Sequence, residues 1–245
     1  MDNIILEACS NLGLNIPEIS TILKNYDNSF LNKKWYDSLA NNKPDYSIYS
    51  DILYIGEAFY CWKMYSKKNI NLLNKTTKLM SLRVIDEIKQ PDYIIDLGCG
   101  LGLTTLMLKK LFPNAKVIGT NISGTYQWDI ANYISKLYDF SILETIPDIK
   151  GNIVIIALEY FEHFLKPIDE LERVLTTKAR YIICANTFNG KPSPGHFSSY
   201  SDSDIIYSGQ NISRLFNKKL RDFGYISMKT GFWNNRPSVW KFKYL

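Results

Sequence analysis

With 245 residues, 29 basic and 24 acidic side chains and a net charge of +5, the chain is long enough for one α/β domain with a modest extension. An apolar content of 46%, with only 13 glycines and 9 prolines, excludes a fibrous or disordered chain. No apolar run approaches the roughly eighteen residues of a membrane span, and the acidic start at Asp2 and Glu7 is unlike a signal peptide, which reads as a cytoplasmic protein without a membrane partner.

In chain order, residues 1–90 read as several helices with no alternating strand pattern, one of them opened by Pro17. They include an aromatic stretch with Tyr54, Phe59, Tyr60, Trp62 and Tyr65, for which core packing is the expectation. From Tyr93 onward strands and helices alternate, as in a doubly wound parallel sheet. Tyr93, Ile94 and Ile95 start the first strand, and Leu103, Leu106, Met107 and Leu111 recur at helical spacing before Pro113. Lys116 to Asn121 is a second strand, and Ser123 is placed to cap a helix running to about Leu137. Phe140 to Leu143 and the aliphatic run Ile153 to Leu158 are the third and fourth strands. Pro167 opens a helix with Ile168, Leu171 and Leu175 on one face, followed by a fifth strand, "YIICA". A last helix, Ile212 to Phe223, is closed by Gly224, and two strands end the chain.

Between the first strand and its helix stands "DLGCGLG", Asp96 to Gly102. Bare backbone just after a strand and at a helix N-terminus is a place for a small ligand. A nicotinamide fingerprint would need glycine where Leu103 stands and an acid where the second strand ends in Asn121. A phosphate loop would need Gly-Lys-Ser/Thr, which is absent. Cys9, Cys61, Cys99 and Cys184 are scattered without metal-ligand spacing, so neither a zinc site nor a disulfide framework is expected.

The motif "D-L-G-C-G-L-G" resembles motif I of the class I S-adenosylmethionine-dependent methyltransferases. The resemblance implies a Rossmann-like, seven-stranded sheet with a terminal antiparallel hairpin over residues 91–245 and a helical extension or lid over residues 1–90. It implies S-adenosyl-L-methionine as cofactor, held by Asp96, Gly98, Cys99, Gly100 and Gly102. "VIGTNISGTYQWDIA" is similar to the branch containing cyclopropane fatty acid synthases and sterol or natural-product methyltransferases, which puts Asn121 and Ile122 at the ribose. Most relatives have a carboxylate at that place, and the Asn121 amide oxygen still accepts a hydrogen bond. Glu144 is a candidate for the adenine region. Helical additions in this family often cover the cofactor and select the acceptor, so "YSIYSDILYIGEAFYCW" is open to that role as well.

"ALEYFEHFLKP" is similar to the family's E-x-x-E-H turn. The rule that ligands sit beyond the carboxyl ends of the strands puts Glu159, with the cofactor, and Glu162 and His163, as catalytic candidates, on the functional side. "GHFSSY" resembles the loop that closes over the acceptor and makes His196 a candidate base. "YFEHF" with "GHF" also resembles small methyltransferases carried by phages, which would work in a host cytoplasm.

A small-molecule acceptor methylated at O, N or C is the first reading. Neither Asn/Asp-Pro-Pro-Tyr nor Pro-Cys, the motifs of familiar nucleic-acid methyltransferases, is present. Residues 205–245 carry a net charge of +7, with Phe232, Trp233 and Trp240 as candidate stacking surfaces. That tail keeps a nucleic-acid acceptor open beside its alternative, a solvated helix face and a hairpin edged by lysines. A module that binds the cofactor without turnover is the third reading. The oligomeric state is not legible in the sequence.

Overall fold

Aliphatic, β-branched runs build the centre of the molecule. In the computed structural model, which describes residues 2–75, 83–190, 192–232, 234 and 236–243, these runs form a seven-stranded sheet. Its strands are β1 (Tyr93–Leu97), β2 (Lys116–Thr120), β3 (Ser141–Leu143), β4 (Ile153–Leu158), β5 (Tyr181–Ala185), β8 (Tyr225–Ser227) and β9 (Ser238–Phe242). The spatial order is β3-β2-β1-β4-β5-β9-β8. The first five strands pair in parallel, and β9 lies antiparallel to both β5 and β8. The strand order reverses between β1 and β4, which is where an open sheet of this kind leaves a crevice for ligands.

The two faces of the sheet build two apolar cores. Ile94, Val154, Ile156 and Ile183 face one core, together with α7 (Leu103–Leu111) and α8 (Tyr126–Tyr138). Ile95, Leu97, Ile155 and Ile182 face the other, together with α9 (Pro167–Leu175) and α10 (Gly209–Asp222). Complete burial of such a side chain contributes about 1.5–3 kcal/mol, so each alternation along β1 and β4 fixes which face the strand presents.

The N-terminal helices complete both cores. Ile5, Ile19, Ile55 and Ile70, on α1 (Asp2–Asn11), α2 (Ile16–Lys24), α4 (Tyr54–Cys61) and α5 (Lys67–Leu73), join the first. Leu31 and Trp35 of α3 (Ser29–Ala40) join the second. Between α4 and α5 the chain winds as a π-helical turn, Trp62–Ser66. The short helix α6 (Val84–Ile88) leads into β1.

Four local features differ from the sequence reading. Helix α8 is capped by Thr125, whose hydroxyl accepts from the Trp128 N–H at 3.2 Å; Ser123 and Gly124 instead extend the loop beside the crevice. Strand β3 begins one residue later, at Ser141. Helix α10 starts at Gly209 under a Ser208 cap, three positions before Ile212. A two-stranded sheet of β6 (Ser199–Asp202) and β7 (Ile205–Ser208) was not anticipated. Ser203 and Asp204 both take positive φ, as a tight hairpin turn requires, but they lack the Asn-Gly signature that announces one.

Four of the eight basic side chains of the tail form ion pairs among the described residues. Lys218 and Lys219 bridge to Asp222 and Glu172, Lys241 to Glu87 and Arg236 to Glu159. Val239 and Trp240 are buried on opposite faces of β9, as an embedded strand demands. Trp233 and Tyr244 lie outside the described residues. All four cysteines are free thiols, and among the described residues no helix is long and apolar enough to cross a membrane.

Candidate functional site

The turn after β1 is shaped by three residues in the left-handed region: Gly98 at φ 63°, Gly100 at φ 54° and Gly102 at φ 77°. Thr120, ending β2, ties it down, accepting from Cys99 N at 2.9 Å with its carbonyl and from Gly98 N at 3.3 Å with its hydroxyl. A Cβ on Gly102 would stand 3.2 Å from Cα of Ala131, so bare backbone lets α7 and α8 approach each other. A Cβ on Gly98 would meet the Tyr160 ring at 2.7 Å. Gly100 faces open space, its nearest neighbour being Ala58 at 3.8 Å.

Asp96, 2% exposed, accepts from Thr105 Oγ1 at 2.7 Å. Burial pushes its carboxyl up to about 7, against the opposing effect of the Thr105 hydrogen bond. Asn121 spends its amide on the loop itself. Nδ2 donates to the Gly100 carbonyl at 2.7 Å, and Oδ1 accepts from Ile122 N at 2.9 Å. Ile122 is 52% exposed and lines the space beyond, as do Glu144 and Thr145 after β3.

The turn after β4 supplies the facing wall. Glu159 takes φ 54°, a strained value for a residue with a side chain. Its carboxylate accepts from Thr187 Oγ1 at 2.6 Å and from Arg236 Nη2 at 2.5 Å. Glu162 is fully buried, with Oε1 accepting from Thr187 N at 2.7 Å and Oε2 unpartnered among the described residues. Burial first, and then the charge of Glu159, hold its carboxyl well above the ordinary range.

His163 and His196 come together, ring against ring at 4.7 Å. His163 lines the cavity, and its Nδ1 is 2.9 Å from the Tyr49 hydroxyl. Burial, with the neighbouring His196, keeps its imidazole neutral well below the usual range. His196 and Glu162 stand behind that wall and are not among the lining residues. Burial lowers the His196 imidazole to about 4. Its carbonyl accepts from Trp35 Nε1 at 2.7 Å, anchoring the loop after β5 to α3. A Cβ on Gly195 would fall 2.4 Å from the Tyr49 hydroxyl and 2.6 Å from His163 Nδ1, so only glycine lets this loop pass behind the pair.

These walls enclose a cavity of about 890 Å³, within the range of small-molecule sites. It brings together Asp96, Gly98, Cys99, Gly100, Asn121, Ile122, Glu159 and His163 from the sequence candidates; Gly102 sits just behind, at the cap of α7. The N-terminal segment adds Tyr46, Tyr49, Tyr54, Glu57, Cys61 and Trp62, so part of the aromatic stretch faces the cavity while Phe59 is core. The lining carries six carboxylates, on Glu57, Asp96, Glu144, Glu159, Asp169 and Glu170, against two cations, Lys166 and Arg173. Glu57 and the clasp Thr187–Glu159–Arg236 were missed, because each depends on contacts between segments far apart in the chain.

A positive-φ glycine turn, a buried acid beneath it and a cavity at the reversal of the strand order fit a nucleoside-like cofactor carrying a sulfonium. Bare backbone admits it, and the excess of carboxylates suits its positive charge.

No protein-family model matches the chain, and no curated protein matches it in sequence. Solved structures do match. A Nostoc punctiforme PCC 73102 protein assigned as an O-methyltransferase aligns over 95% of this chain and 71% of its own, at 11% identity and a TM-score of 0.50. The O-methyltransferase of a trans-AT polyketide synthase of Brevibacillus brevis, in complex with S-adenosyl-L-homocysteine, aligns over 71% of this chain at 12% identity and a TM-score of 0.46. This chain spans 56% of that protein's length. An S-adenosylmethionine-dependent methyltransferase of Aquifex aeolicus aligns over 84% of this chain and 92% of its own, at 15% identity and a TM-score of 0.43. The strand order, the terminal antiparallel pair and the alignment with the Nostoc protein over 95% of this chain agree: the chain has a Rossmann-like methyltransferase fold.

Proposed function

We propose that this protein is an S-adenosylmethionine-dependent methyltransferase that transfers a methyl group to an O, N or C atom of a small-molecule acceptor. The observation that carries the reading is the Gly98–Gly102 turn, held at positive φ and opening on the 890 Å³ cavity at the carboxyl ends of β1 and β4. Asp96 and the glycine turn would hold the cofactor's amino-acid and ribose parts, and Ile122 would cover its base. When bound, the cofactor supplies an electrophilic methyl group on a sulfonium.

The protein's own contribution is alignment and proton handling. A cavity that fixes sulfur, methyl and nucleophile near attack distance supplies several kcal/mol of the barrier reduction. His163, neutral and facing the cavity, is the group able to take a proton from a hydroxyl or amine as the new bond forms. In the tautomer that carries its proton on Nδ1, 2.9 Å from the Tyr49 hydroxyl, Nε2 would hold the free lone pair. His196 serves as the packing partner that keeps the His163 ring in place.

Two features weigh against a nucleic-acid acceptor. The lining of the cavity is acidic, and four of the basic side chains of the C-terminal tail are paired with carboxylates. Calorimetric titration with S-adenosylmethionine tests the proposal. Micromolar binding by the folded protein, lost in a folded Gly100→Val variant, supports it; unchanged affinity in that variant sinks it.

A further inference from the structure

The lid half of the cavity has a chemistry of its own. Tyr46, Tyr49 and Tyr54 form a continuous aromatic wall, with Tyr46 stacked on Tyr49 at 6.5 Å and Tyr54 edge-on to Tyr49 at 4.9 Å. One helical turn past Tyr54 stands Glu57, only 3% exposed yet part of the cavity lining. Its described partners are all neutral: Tyr26 Oη donates to Oε2 at 2.5 Å, and Ser193 Oγ and Cys61 Sγ donate to Oε1 at 3.0 and 3.3 Å. These three neutral donors offset the burial of the carboxylate, and among the described residues no cation pairs with it. Trp62, 6% exposed and also lining the cavity, holds an indole N–H with no hydrogen-bond partner among the described residues. It sits at the start of the π-helical turn, a kind of distortion frequent at functional sites.

An aromatic wall beside a buried carboxylate is the arrangement that recognises an amine. The rings attract a cation through their faces and the carboxylate pairs with it, while the orphaned indole N–H calls for an oxygen on the same ligand. With Glu159 paired to Arg236 and Glu170 to Arg173, an anionic acceptor still meets Glu57, Glu144 and Asp169 against Lys166 around the cavity.

We propose that the acceptor is a small molecule bearing a protonated amine, anchored by Glu57 against the Tyr46–Tyr49–Tyr54 wall, with a separate nucleophilic group directed toward His163. This rests on the methyltransferase reading and goes further by naming the acceptor's chemical class and a residue that selects it. The anchored ammonium is not the methylated atom, because a protonated nitrogen has no lone pair to give.

The test uses two probes of matched shape, tyramine and 3-(4-hydroxyphenyl)propionate. Each is titrated calorimetrically into the full chain saturated with S-adenosylhomocysteine, whose own binding is measured first. Tyramine should bind about tenfold or more tightly than the propionate, the ratio expected of one well-placed charge pair. In Glu57→Gln, which removes the charge at constant size and keeps one oxygen to accept from Tyr26 or from Ser193, the ratio should collapse toward one with S-adenosylhomocysteine affinity unchanged. Equal binding of the two probes by the wild-type protein, tighter binding of the propionate, or binding of neither at millimolar concentration overturns the amine proposal while leaving the cofactor reading intact. Failure to bind S-adenosylhomocysteine overturns both. The wild-type comparison decides the matter even if the variant does not fold.

Discussion

The side-chain amide of Asn121 latches the glycine turn, its Nδ2 donating to the Gly100 carbonyl at 2.7 Å while its Oδ1 caps the Ile122 N–H. The residue at the end of β2 therefore acts on the loop before it meets any ligand. A carboxylate there would lose the donor and set a charge against the Gly100 carbonyl. The expectation is that Asn121→Asp and Asn121→Leu both weaken S-adenosylhomocysteine binding, by about threefold to tenfold for loss of one hydrogen bond. Calorimetry checks this, and tighter binding by Asn121→Asp would show that the latch is dispensable and that a ribose contact dominates.

Gly102 separates packing from binding. A branched side chain at φ 77°, with Ala131 only 3.2 Å from the nearest added atom, should force α7 away from α8. Gly102→Val is expected to lower stability by about 2–4 kcal/mol, read as a shift of the urea midpoint. Gly100→Val carries strain but no such clash, so its midpoint should move less while cofactor binding is lost.

The histidines should part company in kinetics. His163→Ala is expected to lower kcat by about 10²- to 10⁴-fold if the acceptor must shed a proton, with cofactor affinity nearly constant. His196→Gln should act mainly through stability. Burial lowers His196 to about 4, below its ordinary ~6.5. The unfolded chain therefore binds a proton first, and native stability is lost as pH falls from about 6.5 toward 4. Unfolding of wild-type and His196→Gln proteins across that window should show a smaller acid loss in the variant. A large kcat defect in a His196→Gln protein of wild-type stability and intact cofactor binding would return the base to His196.

Asp96 works in the opposite sense. Its folded value of about 7 lies above the ~3.9 of an unfolded aspartate. The native state holds the extra proton between those values, and stability declines as pH rises through the window. Asp96→Asn, which can still accept from Thr105, should gain stability relative to wild type between about pH 4 and 7, by on the order of 4 kcal/mol at most. Urea midpoints at several pH values measure the difference, and a constant difference would mean that Asp96 is ionised throughout.

Gly195 offers a check on the Tyr49–His163 pair. Gly195→Ala places an atom against both partners and should lower kcat with little change in cofactor affinity, as stopped turnover assays and calorimetry would show together.

The parallel core was readable because its strands are buried on both faces and need no partner to announce themselves: Ile153–Leu158 and Tyr181–Ala185 appear with the bounds the sequence suggested. The glycine turn was readable for a similar reason, since its demand for positive φ is local. The chemistry that the N-terminal helices bring to the cavity was not. Whether Tyr54 or Phe59 faces the cavity depends on how α4 is rotated against α2 and α8, and that rotation is set by contacts such as Tyr26 with Glu57, 31 residues apart. His196 stands in a loop with Pro192, Pro194 and Gly195, yet it is buried, and Trp35 holds its carbonyl from 161 residues away. Non-local contacts of that kind leave no periodicity to read.

The clasp of Arg236 on Glu159 carries a consequence for the order of assembly. Glu159 leaves the edge of β4 at a strained φ, and the guanidinium that compensates it arrives 77 residues later, just before β9. The opposite wall comes from the first quarter of the chain, through Tyr49 and Glu57. A ribosome-bound chain that has closed β1 to β5 would thus already own its glycine turn but would leave Glu159 unpaired. Contacts of such long sequence separation form late, so the cavity should acquire its final shape, and its capacity to discriminate among ligands, only in the last stage of folding.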